Sequence, residues 1–346
     1  MVPGPKARRQ MKLLILISVF AAAVHAQRKQ GSPLDQLPKN MEVIARFGER
    51  ADFSPDNQRI AFMAKSFGDA FVIDMKTRII RCLTCSVPGA AFLRIMHLAD
   101  ANYILIGPER FSDIGTSRRR DNELWFLSKA PGSKPVKLGQ KMSEGAAISK
   151  KSLKMAWSET NAQFPDLPRD YSRLVVADIE ASGAAAKLVN KKTIYESKDA
   201  SCRLEAQDFY DNDTKMTFTC YRPKGLGGVM GIDIKSGKVT DFSQAPNTYN
   251  EVEGIFPDGK YTLVESSKQV ETLGGEHGSR EIDIWRLRLD GTGKDFVRVT
   301  NFNDYQGWKA SNPVIATDGR YAAFQIARTS DEAGVGYGIV LLRLNQ

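Results

Sequence analysis

A tight turn followed by a β-prone run recurs along this chain, and that repeat limits the available folds more than any other feature of the sequence. The template is Ser54-Pro55-Asp56-Asn57-Gln58-Arg59-Ile60-Ala61-Phe62, and it returns closely over residues 256–264 and 316–324. Weaker copies run over 98–106, 149–157 and 210–218. The third residue of each copy marks positions 56, 100, 151, 212, 258 and 318, so the units are 44 to 61 residues long. Asp, Asn and Gly tolerate the backbone angles of a tight turn, and the run after each turn alternates with period two, which predicts a hairpin. A third β-prone run follows in every unit, as in Phe71-Val72-Ile73 and Ile284-Trp285-Arg286, and a fourth closes most of them, as in Arg78-Ile79-Ile80 and Lys187-Leu188-Val189. Four strands per unit of this length is a propeller blade. The expected fold is all-β: a six-bladed β-propeller of four-stranded antiparallel blades.

The sixth unit stops at Gln346, just after its third strand. Residues 42–47, Glu42-Val43-Ile44-Ala45-Arg46-Phe47, match the fourth-strand pattern and precede the first marker. They are expected to pair in the last blade and close the ring, leaving no open edge there.

Ahead of the repeats, Lys6, Arg8, Arg9 and Lys12 precede an apolar run from Leu13 to Val24 that ends in Val24-His25-Ala26. This is the pattern of a secretory signal, and the run is too short to span a bilayer as a helix. The start could be Met1 or Met11. The expected organisation is signal peptide 1–26, linker 27–40 and one propeller domain 41–346, secreted or periplasmic and monomeric. Removing residues 1–26, which carry four basic and no acidic side chains, lowers the net charge from +9 to +5. Basic runs such as Arg118-Arg119-Arg120 are short and lack interleaved aromatics, so nucleic acid is not an expected partner.

The turns Ser54-Pro55-Asp56, Phe256-Pro257-Asp258-Gly259 and Thr317-Asp318-Gly319, each leading into a strand, resemble the Ser-Pro-Asp-Gly turns of the TolB-like β-propeller family. The resemblance covers most of residues 41–346 and three of the six turns. The chain has no room for the α/β domain that TolB itself carries, so a role in the Tol system is not transferred. It has neither the length nor a Gly-x-Ser-x-Gly elbow for the hydrolase domain that dipeptidyl-peptidase-type proteins add to such propellers.

After signal removal only His97 and His277 remain, which excludes a three-histidine metal centre. His97, between Met96 and Leu98 on an inner strand, reads as a packed, hydrogen-bonded histidine; His277 lies in a glycine-rich loop. Cys82 and Cys85 form a C-x-x-C inside a β-repeat, where an exported protein favours a structural disulfide over redox chemistry or zinc. Cys202 and Cys220 stand offset by about three residues in the expected hairpin, which leaves their pairing open.

The more informative pattern is periodic. Seven residues before four of the six markers stand Glu49, Glu144, Glu205 and Glu251, at the start of the innermost strands. They should gather at one mouth of the central channel as an acidic binding mouth. Unpartnered carboxylates there would raise one another's pKa and suit a divalent cation; no other cofactor is expected. The alternative is that each caps a backbone amide or pairs with a nearby Lys or Arg. The long loops between second and third strands share that face and offer Glu109, Arg110, Glu159, Glu265, Glu276, His277, Arg328, Asp331 and Glu332 as contacts. Two functions fit: a noncatalytic binding or scaffold protein presenting this face to a protein or polysaccharide, or a lyase or hydrolase acting on extracellular glycans or peptides. With no recognised catalytic motif, binding is the expectation and no catalytic residue is assigned.

Overall fold

The computed structural model describes residues 1, 27–331 and 334–344. The signal-peptide segment and Glu332 lie outside the described residues. Six four-stranded antiparallel sheets form the ring. Blades 1 to 5 occupy residues 49–82, 94–141, 146–197, 203–241 and 250–298, each with its first strand innermost and its fourth at the rim. Blade 6 takes three strands from residues 308–343 and its outer strand from Met41–Ala45, with Met41 opposite Leu342 and Val43 opposite Val340. The expected fold and ring closure are both present, the closing strand lying one residue earlier than the sequence pattern suggested.

The turns follow from their residues. Ser54 Oγ donates to Asp56 Oδ1 at 2.6 Å, and the same oxygen accepts from the Gln58 amide at 3.1 Å. Asn57, Gly259 and Gly319 occupy the left-handed position of their turns, with φ of 57°, 68° and 71°. A second closure lies on this turn face: the Thr317 amide donates to Asn57 Oδ1 at 2.8 Å and Thr317 Oγ1 to the Pro55 carbonyl at 3.0 Å, tying blade 6 to blade 1.

Blade faces pack on one another around the ring. Phe126 and Trp157 fill the layer between blades 2 and 3, Phe53 and Phe62 lie between blades 6 and 1, and Phe302 and Phe324 between blades 5 and 6. Each such side chain contributes about 1.5–3 kcal/mol on burial. Inner strands converge on the channel, and buried small residues there, among them Ala51, Ala147, Ala206 and Ala310, stand beside buried charged ones.

Residues 27–40, expected as a linker, lie along blades 5 and 6. Lys29 bridges Tyr305 in parallel, Trp308 Nε1 donates to the Gly31 carbonyl at 3.0 Å, and Ser32 caps the 3-10 turn Pro33–Gln36. Both cysteine pairs are disulfides, Cys82–Cys85 and Cys202–Cys220. Cys220 lies opposite Leu204, two residues from Cys202, and because Cys202 precedes the strand Arg203–Tyr210 it folds back to bring the two Cα atoms to 4.8 Å. Among the described residues no helix is long and apolar enough to cross a membrane.

Candidate functional site

The channel opens on both faces of the ring. At the turn face a cavity of about 250 Å³ is lined by Lys150, Asp208, Tyr210, Pro257 and Thr317. At the face shared by the long loops and the links between blades, a mouth of about 470 Å³ is lined by Arg118, Glu144, Glu205, Tyr249, Glu251 and Lys309, among others. Of the four periodic glutamates, Glu144, Glu205 and Glu251 line this opening, while Glu49 is fully buried behind Gly334 at its edge.

Glu49 and Glu144 lie beside guanidinium groups, but only Glu144 is neutralised by them. Burial outweighs Arg50 at Glu49 and raises its carboxyl above the usual range, and its Oε2 is buried without a hydrogen-bond partner. Glu49 Oε1 accepts from Ser66 Oγ at 2.6 Å and lies 3.7 Å from Arg50 Nε, while Gly334 covers the carboxylate so closely that any side chain there would collide with it. Glu144 is gripped by two guanidinium groups, from Arg50 Nη2 at 2.7 Å and from both Nε and Nη2 of Arg118. Burial opposes its ionisation, but Arg118 and Arg50 outweigh it and hold the carboxyl far below the usual range.

Glu205 and Glu251 have no such partner. Burial, then the charges of Glu144 and Glu251, push Glu205 up to about 8. Glu251 accepts from the Tyr249 hydroxyl and, at 3.4 Å, from Gln207 Nε2. Beside them stand two more buried acids. Glu253 is raised by burial and by Glu251; Glu265, raised to about 7 for the same reasons in the same order, accepts from Asn312 Nδ2 at 2.8 Å. Charged groups are unevenly placed around the channel: guanidinium groups of Arg50, Arg94 and Arg118 come from blades 1 and 2, and carboxyls of Glu205, Glu251 and Glu265 from blades 4 and 5. Arg203 of blade 4 and Lys309 of blade 6 also line the mouth, and Glu253 lines the turn-face cavity.

The loop residues separate in the same way. Glu109 is exposed and pairs with Lys137 at 2.5 Å; Arg110 and Glu276 are exposed without a structural task. Arg328 lies over the Trp308 ring, Asp331 is half-buried near Tyr337, and His277 Nδ1 meets Ser267 Oγ at 2.9 Å. Glu159 is off the face altogether: fully buried, it accepts from Trp157 Nε1 and Gln140 Nε2, both at 3.0 Å, and from Arg173 Nη2 at 2.6 Å. Glu265 belongs to the channel wall, at the end of the strand Tyr261–Ser266. His97 is buried on its inner strand as expected, and its Nδ1 meets Asp52 Oδ2 at 2.9 Å, with Lys150 Nζ 2.8 Å from the other carboxylate oxygen. Reading only every seventh residue before a turn missed Arg50, Arg94, Glu253 and Asp52. The residues next to it in the same strands carried the signal.

The loop face also carries exposed apolar side chains. Phe111 and Ile114 in the blade 2 loop, Val335 and Tyr337 in the blade 6 loop and Phe47 in the link to blade 1 are each at least 36% exposed. Phe111 rests on Phe67 of the blade 1 loop, with ring centroids 5.2 Å apart, and the Ser66 amide donates to the Gly334 carbonyl at 3.1 Å. Loops of blades 1, 2 and 6 thus join in one apolar rim beside the mouth.

These features define a closed six-bladed β-propeller with a charged, two-mouthed channel and an apolar rim on its loop face. The fold is TolB-like. The chain is similar to a protein assigned as TolB from Agrobacterium tumefaciens, with 17% identity over 75% of this chain and 78% of that one and a TM-score of 0.51. TolB from Acinetobacter baumannii aligns with 12% identity over 91% and 71% of the two chains and a TM-score of 0.45, and the β-propeller domain of the Trilobed protease from Pyrococcus furiosus with 9%, 83%, 79% and 0.46. These likenesses are of fold. No protein-family model and no curated protein matches the chain.

Proposed function

We propose that this chain is a noncatalytic binding or scaffold protein, exported to the periplasm or cell exterior, whose loop face docks a protein partner. The observation that carries the reading is the apolar rim of Phe111, Ile114, Val335 and Tyr337 beside a polar, solvent-open mouth. Aromatic and aliphatic anchors exposed next to charged groups have the anatomy of a protein interface rather than of a soluble surface. Export is supported by the signal pattern of residues 6–26 and by the two disulfides, which persist in oxidising compartments.

The test is site-specific photo-crosslinking in the producing cell, with a photoreactive residue at Phe111 and, as control, at the exposed turn residue Asp258 on the opposite face. The expected result is a discrete protein adduct from position 111 only, lost when Val335→Asp is added. Identical adducts at both positions, or none at position 111, would overturn the docking surface.

A further inference from the structure

The strand Asn250–Ile255 and its neighbour Tyr261–Ser266 place three carboxylates together in a way their own charges disfavour. Glu265 lies directly across the ladder from Glu251, and Glu253 sits in the bulge between Val252 and Ile255 of the same inner strand. Like charges opposite one another destabilise a strand pair. One oxygen from each of the three lies within 4.8 Å of the others, and the residues are only 8%, 5% and 3% exposed. Burying such a group with nothing to answer its charge is costly.

The second observation concerns what answers them. Unlike Glu49 and Glu144, none of the three takes part in an ion pair among the described residues; Arg94 and Lys309 reach them only through their fields. Glu253 Oε1 is buried with no hydrogen-bond partner, and so is Asn312 Oδ1, on the amide whose Nδ2 donates to Glu265. Two oxygen acceptors beside a carboxylate pair are thus unsatisfied in a place that excludes most of the solvent.

We propose that Glu251, Glu253 and Glu265 form a binding site for a hard divalent cation, Ca²⁺ foremost, on the blade 5 wall of the channel. An all-oxygen donor set selects hard ions over zinc or copper. Ca–O bonds of about 2.3–2.6 Å allow ligands up to about 4.6–5.2 Å apart, so three oxygens mutually within 4.8 Å can reach one ion, and the flexible coordination of Ca²⁺ suits an irregular carboxylate set better than the near-ideal octahedron of Mg²⁺. The mouth supplies water for the remaining positions.

The site is independent of the protein-docking reading, and its test uses the ion alone. Calorimetric titration of the mature protein with CaCl₂ should show one ion bound per chain. Glu253→Gln should weaken binding at least about tenfold, as loss of a ligand does, while Glu109→Gln on the exposed loop should leave it unchanged. Should Glu253→Gln fail to fold, Ca²⁺ should raise the thermal midpoint of the wild type and not that of Glu265→Gln, by mass action on the folded state. No heat and no midpoint shift with millimolar Ca²⁺, Mg²⁺ or Mn²⁺, or equal affinity in wild type and variant, would overturn the site.

Discussion

Arg50 adopts a φ of 53° at the bulge between Glu49 and Asp52, and this one left-handed residue turns a guanidinium into the channel where strict alternation would turn it out. It answers Glu144 and lies beside Glu49, both in low-dielectric surroundings. Arg50→Ala is expected to cost less than about 3–5 kcal/mol, the cost of leaving a buried charge unpaired, because Arg118 still holds Glu144, and chemical denaturation should show that loss with partial recovery in Arg50→Lys. The unpaired acids act in the opposite sense. Glu205 is raised on folding from 4.5 to about 8, so the folded chain holds its proton longer than the unfolded one. Its contribution is present at low pH and lost as pH rises through that window; denaturation midpoints should fall from pH 5 to 8, and less so in Glu205→Gln. The glutamate period was legible because four of the six blades repeat it. Arg50 was not, since a bulge changes which side a residue faces and leaves no repeat of its own. The Glu251–Glu265 pairing was equally hidden, as it depends on register between two strands rather than on spacing along one.

At the scale of elements, hairpin turns were the most legible parts of the sequence, because Asp, Asn and Gly specify them locally. Strand ends were less so: the outer strand expected at Arg78–Ile80 is found at Ile80–Cys82, and the run expected at Lys187–Val189 is the long strand Ala185–Ser197. Rim strands pair on one side only, so packing selects their limits weakly. The Cys202–Cys220 bond ties the start of blade 4's inner strand to the end of its second, across a separation of 18 residues, whereas Cys82–Cys85 spans three. In the chain-entropy picture the first contributes about 3 kcal/mol and the second about 2. Equilibrium unfolding of the Cys202→Ser/Cys220→Ser and Cys82→Ser/Cys85→Ser double variants should show that order. Equal losses would mean that local packing, not loop closure, sets the effect.

At the scale of the whole molecule, closure occurs twice, by the Met41–Ala45 strand in blade 6 and by the Thr317 contacts with Asn57 and Pro55 on the turn face. A chain beginning at Arg46 keeps the second closure but bares the edge of the strand Ile339–Arg343. It should melt earlier and self-associate on size-exclusion chromatography; a monomer with an unchanged midpoint would show that the turn-face contacts alone close the ring. Six blades were legible because the turn marker survives in each, whereas the docking of residues 27–40 on blades 5 and 6 rests on single contacts, such as Trp308 to Gly31, that no repeat announces.

The division of the mouth into a guanidinium wall from blades 1 and 2 and a carboxyl wall from blades 4 and 5 breaks the sixfold likeness of the ring. A neutral propeller mouth offers an incoming segment six nearly equivalent rotational settings. Here the opening has a compass direction: guanidinium donors lie on one side and carboxyls raised toward their protonated form on the other, so an incoming segment meets different hydrogen-bonding partners half a turn away, and those partners set its azimuth.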